Sequence, residues 1–269
     1  MIHSIKDTIK KILYNPVILV LLIPVSYLMV GTIYALQYAS LNWTDFILLY
    51  ALLFINYYIE NYFSKHYLFS KQMITPKILV LELLNIAVIT TISFSSNYLV
   101  AILIILYSLI IHFHHTLKLF HLSGVSIAIL SFFKGGILTY LSFFVQVQFI
   151  PLELFKWSIP LILLNLCIEW GMYFSHPFSN QQQSKNYSSL IVLLVALLYI
   201  TSILFLYSSF QFLLLLFLLT IPFILRFIKL FQSNEGKNSK RFCLKTIYIF
   251  QIIYLFTFAL VESLYFYWL

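Results

Sequence analysis

Residues 44–63 read Thr44-Asp-Phe-Ile-Leu-Leu-Tyr-Ala-Leu-Leu-Phe-Ile-Asn56-Tyr-Tyr-Ile-Glu60-Asn-Tyr-Phe63, an apolar run that closes on an amide and a carboxylate. Roughly 20 mostly apolar residues are what a bilayer-spanning helix needs, and this run supplies them. The rest of the chain repeats the pattern. With 62% hydrophobic and 9% charged residues and a mean hydropathy of +0.97, a chain of 269 residues has too little polar surface for a soluble globule. Comparable runs lie at 17–36, 44–63, 77–94, 97–113, 122–146, 157–175, 188–207, 211–230 and 247–268. They are continuously apolar, whereas strands of a membrane barrel alternate between lipid-facing and lumen-facing residues. The reading is an all-α fold: one integral membrane domain over residues 1–269, a polytopic bundle of about nine transmembrane helices.

Charge orients the bundle. With the N-terminus inside, Lys6, Lys10 and Lys11 lie in the cytoplasm, and Lys65, Lys71, Lys77, Lys118 and Lys185 fall in or beside inner connections. Arg226, Lys229, Lys237, Lys240, Arg241 and Lys245 crowd the connection before the last run. Of the 16 basic residues only Lys134, inside the fifth run, and Lys156, in an outer loop, escape this side. The positive-inside rule therefore places the N-terminus inside and the C-terminus outside. The net charge of +8 follows from that bias and from contact with anionic lipid, so it gives no argument for nucleic acid. Cys167 and Cys243 are too few and too far apart for a disulfide framework.

Two phrases stand out against the apolar background. Asn56 and Glu60 end the second run, and Asn165 and Glu169 end the sixth, each pair four residues apart and so on one helical face. The chain has only eight acidic residues, so two of them in matching intramembrane contexts mark a functional site. Glu82 enters the third run from the same side, and Lys134-Gly135-Gly136 lies roughly 18 Å along the fifth, near the bilayer middle. These positions predict one cavity in the inner half of the bundle holding Glu60, Glu82, Glu169 and Lys134. Plainer readings stand beside this one. Glu60 can snorkel to the interface or pair with Lys65, and Lys134 can form a buried ion pair with Glu82 or Glu169. The histidines His112, His114, His115 and His121 suit an interfacial, phosphate-attracting loop better than a metal site, since no partner cluster accompanies them. Glu262, on an outward-running helix, belongs to the other side.

Asn56, Glu60 and Ser64, then Asn165, Glu169 and Tyr173, sit at the inner ends of the second and sixth of nine runs, and Tyr107-Ser108 through Lys118 leads into the fifth. This layout resembles the UbiA superfamily of intramembrane prenyltransferases. The family carries aspartate-rich motifs at those two helix ends, which hold magnesium against the diphosphate of an isoprenoid donor. This chain offers one glutamate per motif, with asparagine, serine and tyrosine at the other positions.

The resemblance implies transfer of an isoprenoid group from a polyprenyl diphosphate to a lipid-soluble acceptor in the membrane. It implies Glu60 and Glu169 as catalytic residues, Asn56, Glu60, Asn165 and Glu169 as ligands to Mg2+, and Lys118, Lys134 and Lys185 as diphosphate-binding cations. It places the protein in the cell inner membrane with its site facing the cytoplasm. Two other functions stay open: a non-catalytic relative that binds a lipid or a partner protein in the same cavity, and a small transporter.

Overall fold

The computed structural model describes residues 14–66, 75–174, 184–232 and 240–268, and among them every regular element is helical. Helix α1 (Pro16–Ala35) starts where Asn15 accepts the Val17 N–H at 3.0 Å and Pro16, which has no N–H to satisfy, occupies the first turn. Helices α2 (Trp43–His66), α3 (Pro76–Ser95) and α4 (Tyr98–Leu119) follow. Asn97 caps α4 as Asn15 caps α1.

The fifth run forms α5 (Ser123–Phe132) and α6 (Leu138–Val147), joined by a π-helical turn over Phe133–Ile137. Left-handed backbone at His121 and Gln148 bounds this pair at both ends. Helix α7 (Leu152–Phe174) then returns past it. Helix α8 (Ser184–Phe210), a 3-10 stretch (Gln211–Thr220) and α9 (Ile221–Gln232) lead to α10 (Lys240–Trp268).

Seven stretches of the described residues are long and apolar enough to cross a membrane. The longest, Ser189–Phe231 at 43 residues, is two arms rather than one rod. Gln211 takes a left-handed φ of 44°, and the Tyr199 and Thr220 hydroxyls hydrogen-bond across the resulting reversal. The apolar composition demanded helix on both sides, and the turn at Gln211 sets where the chain doubles back. Buried side chains from α1 through α10 join in one core. The outward faces stay apolar: on α3, Leu79, Val80, Leu83 and Ile86 are all exposed, the surface of a helix whose solvent is lipid.

Close helix approach positions the site. A side chain at Gly31 on α1 would meet Thr139 and Ser142 of α6. A Cβ at Gly135 would lie 2.5 Å from the Leu161 carbonyl oxygen and 2.6 Å from Ile162 Cα, so the π turn sits directly on the α7 backbone. That contact brings Lys134, one residue earlier, beside the helix that carries Glu169. We therefore expect Gly135→Ala to cost about 1–3 kcal/mol of stability. Gly124→Ala, whose added methyl would meet nothing within 4 Å, is the matched control. Thermal unfolding in detergent distinguishes them: the first variant melts lower, the second melts with the parent.

Candidate functional site: a glutamate–lysine–glutamate cluster in the bundle

The π turn widens the helix by one residue and turns Lys134 into the bundle, where 6% of it is exposed. Thr139 donates to the carbonyl of Gly135 at 2.9 Å, satisfying a backbone acceptor that the wider turn alters. The ammonium meets three carboxylate oxygens: Glu60 Oε1 at 2.9 Å, Glu60 Oε2 at 3.0 Å and Glu169 Oε1 at 2.8 Å. A lysine has three N–H donors, and here each has an acceptor. The two glutamates, 109 positions apart in the chain, thus converge on one buried cation.

A cavity of about 110 Å³ opens beside this cluster. Glu60, Glu169, Lys134 and Lys118 supply its charged lining, with His114 and His115 next to them. Five tyrosines, Tyr27, Tyr57, Tyr107, Tyr173 and Tyr248, make up much of the remainder. His115 Nε2 lies 3.4 Å from the Glu60 carbonyl oxygen, and the His114 and His115 rings pack at 3.7 Å. Among the described residues Lys118 forms no ion pair, so its charge faces the cavity uncommitted.

The asparagines behave differently from each other. Asn165 lies behind the cavity lining: its amide donates to the Leu161 carbonyl at 2.9 Å and its Oδ1 accepts at 2.9 Å from the hydroxyl of Tyr27, which does line the cavity. Asn56 lies apart from the cavity lining, in a polar ladder across three helices. Its amide donates to Asn85 Oδ1 and to the Leu52 carbonyl, both at 3.0 Å, and Asn85 in turn donates to Ser108 Oγ at 2.7 Å.

Glu82, expected in the cavity, pairs with His112 at 2.6 Å between α3 and α4. The reason is local: His112 is held against the Ser108 carbonyl, and its other nitrogen is within reach of Glu82 but not of the cluster. Of the three lysines assigned to diphosphate, Lys134 and Lys118 line the cavity. Lys185 falls in the first turn of α8, with its side chain outside the described residues, as is that of Ser64.

Sequence reading missed Tyr27 and Tyr248, and marked Tyr107 only as the start of the stretch that leads to Lys118. A tyrosine in an apolar run has no fixed partner spacing. The signal on α1 was Ser26-Tyr27 beside Pro24, the first polar interruption of an aliphatic run, with Thr32 and Tyr34 following further along.

No protein-family model matches this chain, nor does any curated protein or solved structure. The resemblance to UbiA prenyltransferases therefore rests on the layout and on these residues.

The magnesium that the resemblance implies can be tested against the donors. Magnesium demands near-octahedral oxygen ligands, commonly one or two carboxylates completed by phosphates and water. Here both glutamates already hold the Lys134 ammonium, the Asn165 carbonyl oxygen is taken by Tyr27, and Asn56 stands elsewhere. Among the described residues no group of three histidine, cysteine, aspartate or glutamate side chains could hold a metal ion. The donor set does not fit a magnesium ion while Lys134 sits between the acids.

Proposed function

We propose that the chain is a diverged intramembrane prenyltransferase of UbiA-like layout, whose cavity takes the head group of an isoprenoid diphosphate. On this reading about nine helical runs cross the cell inner membrane, with the N-terminus and the cavity on the cytoplasmic side, and the seven long apolar stretches among the described residues support it. The observation that carries this reading is the convergence of Glu60 and Glu169 on one cavity that also holds an uncommitted lysine, Lys118. Two acids from separate helices, meeting at membrane depth, are costly to bury and are found where chemistry needs charge.

The chemistry follows from the lining. The diphosphate docks against Lys118 and the histidine pair, and its isoprenoid tail lies along apolar helix faces. Heterolysis of the allylic C–O bond sends the electron pair out with the diphosphate, whose developing charge Lys118 stabilises. The allylic cation left behind faces tyrosine rings, which stabilise it through their negative faces. The acceptor's nucleophilic atom then forms the new C–C or C–O bond and gives up its proton to the released diphosphate. Tyr27, Tyr57, Tyr107 and Tyr248 limit the water that would otherwise quench the cation. Glu60 and Glu169 fix Lys134 and set the field of the site.

A second reading, a lipid-binding relative without turnover, is favoured by one specific observation: the three donors of Lys134 are already matched by three of the four carboxylate oxygens of Glu60 and Glu169.

Binding and turnover separate the two. Purified protein in nanodiscs is expected to bind farnesyl diphosphate, and Lys118→Ala to weaken that binding about 10- to 100-fold, the loss of one charge-assisted hydrogen bond. Release of inorganic diphosphate from a labelled donor, in the presence of a membrane-lipid extract as acceptor, supports transfer. Tight binding with no release selects the second reading, and no binding at all rejects both.

A further inference from the structure

We infer that Lys134 is the resident cation of this site, so that the cavity works without a divalent metal. The inference deepens the function proposed above but depends on it only for the identity of the head group. Its basis is the donor geometry itself.

A divalent ion bridging two carboxylates needs oxygens turned toward a common point and free of other partners. Glu60 and Glu169 do turn toward a common point, and the Lys134 ammonium occupies it, 2.8–3.0 Å from three of their oxygens. The ammonium is delivered by a π turn pinned to the α7 backbone at Gly135, so it is built in rather than drawn in by a flexible surface chain. Lys134 is 6% exposed and Glu169 3% exposed, so water offers little to replace those contacts. A metal entering this point would have to expel a cation into a low-dielectric interior, which is strongly unfavourable. The formal charge of the cluster, two carboxylates and one ammonium, is −1, so half of the anionic charge that would attract a divalent ion is already neutralised by Lys134. The remaining oxygens of a bound phosphate then meet Lys118 and the histidines, not a metal.

The test is direct metal binding by the full chain. Mn2+ titration followed by electron paramagnetic resonance is expected to detect no bound ion in the parent protein. Lys134→Met uncovers the two acids and is expected to bind one Mn2+ per chain, and adding Glu60→Gln and Glu169→Gln is expected to abolish it. Bound Mn2+ in the parent that either Glu→Gln substitution removes overturns the inference, as does a folded Lys134→Met protein that binds none.

Should Lys134→Met fail to fold, the parent alone still decides. Farnesyl diphosphate, or inorganic diphosphate if the prenyl compound does not bind, is expected to bind equally in EDTA and in Mg2+. A tenfold or greater loss in EDTA overturns the inference. If neither phosphate compound binds, the proposed function fails, while the Mn2+ titration of the parent, with and without Glu60→Gln, still settles the metal question.

Discussion

Lys134→Met destabilises the protein by about 3–5 kcal/mol, the cost of removing one partner from a buried ion cluster. The methionine fills most of the lysine's volume, so the loss comes from charge rather than from a hole. What remains is two carboxylates facing each other at a point from which solvent is largely excluded, with Glu169 3% exposed. Like charges at that separation repel, and neither has another cation in hydrogen-bonding contact among the described residues.

The expectation has an internal check. Glu169→Gln leaves Lys134 paired with Glu60, a neutral pair, and so costs less than Lys134→Met. Combining Lys134→Met with Glu60→Gln and Glu169→Gln removes all three charges and recovers most of the stability, because an uncharged buried set can match or exceed an ion cluster. Thermal unfolding of the four proteins in one detergent reads the series. Equal melting of Lys134→Met and the parent, or no recovery in the triple variant, would mean that the cluster is not held by charge.

The sequence made the helical runs legible because composition alone dictates them. Any continuous apolar segment of this length has to satisfy its backbone internally, and only helix does so without an edge. The boundaries drifted where polar side chains find partners inside. The fourth run, read to 113, continues to Leu119 because His114 is buried against the Ile111 carbonyl and Lys118 turns into the cavity. The sixth begins at Leu152 rather than 157, since Leu154 and Trp157 are both buried.

The site was legible in part. Of the two partners that sequence offers Lys134, Glu82 and Glu169, the ammonium meets Glu169 together with Glu60, while Asn165, one turn before Glu169, bonds to Tyr27 behind the cavity lining. The same spacing misled at Asn56, which lies one turn before Glu60 but points into the ladder with Asn85. Four-residue spacing places two side chains on one face, yet a helix face more than 100° wide can meet two different neighbours. The Gly135-Gly136 pair allows close helix approach or a break that lines a cavity, and the structure has both there, Gly135 lying on the α7 backbone within the π turn.

The same physics predicts the opposite sign at the far end of α10. Glu262 is 0% exposed, and neither carboxyl oxygen has a hydrogen-bond partner among the described residues. Three turns earlier on the same face, both polar atoms of the Gln251 amide are likewise unsatisfied. Around the end of α10 the packing is aromatic: Trp157 packs at tilted or edge-on angles near Phe210, Phe258 and Phe266, and Tyr34 stacks against Phe266. A carboxyl group buried this way loses its water and gains nothing in return, a deficit of about 1–3 kcal/mol for an unsatisfied buried polar group. Glu262→Leu, similar in size and free of that deficit, is therefore expected to raise the melting temperature, whereas Glu169→Leu lowers it by stripping Lys134 of a partner. Two buried glutamates of one bundle thus respond to the same substitution in opposite directions, and the sign is set by whether a cation stands within 3 Å. A lower melting temperature for Glu262→Leu would show that this carboxyl has a stabilising partner. Loss of turnover in a more stable Glu262→Leu protein would instead mark the position as one kept for activity at the expense of stability.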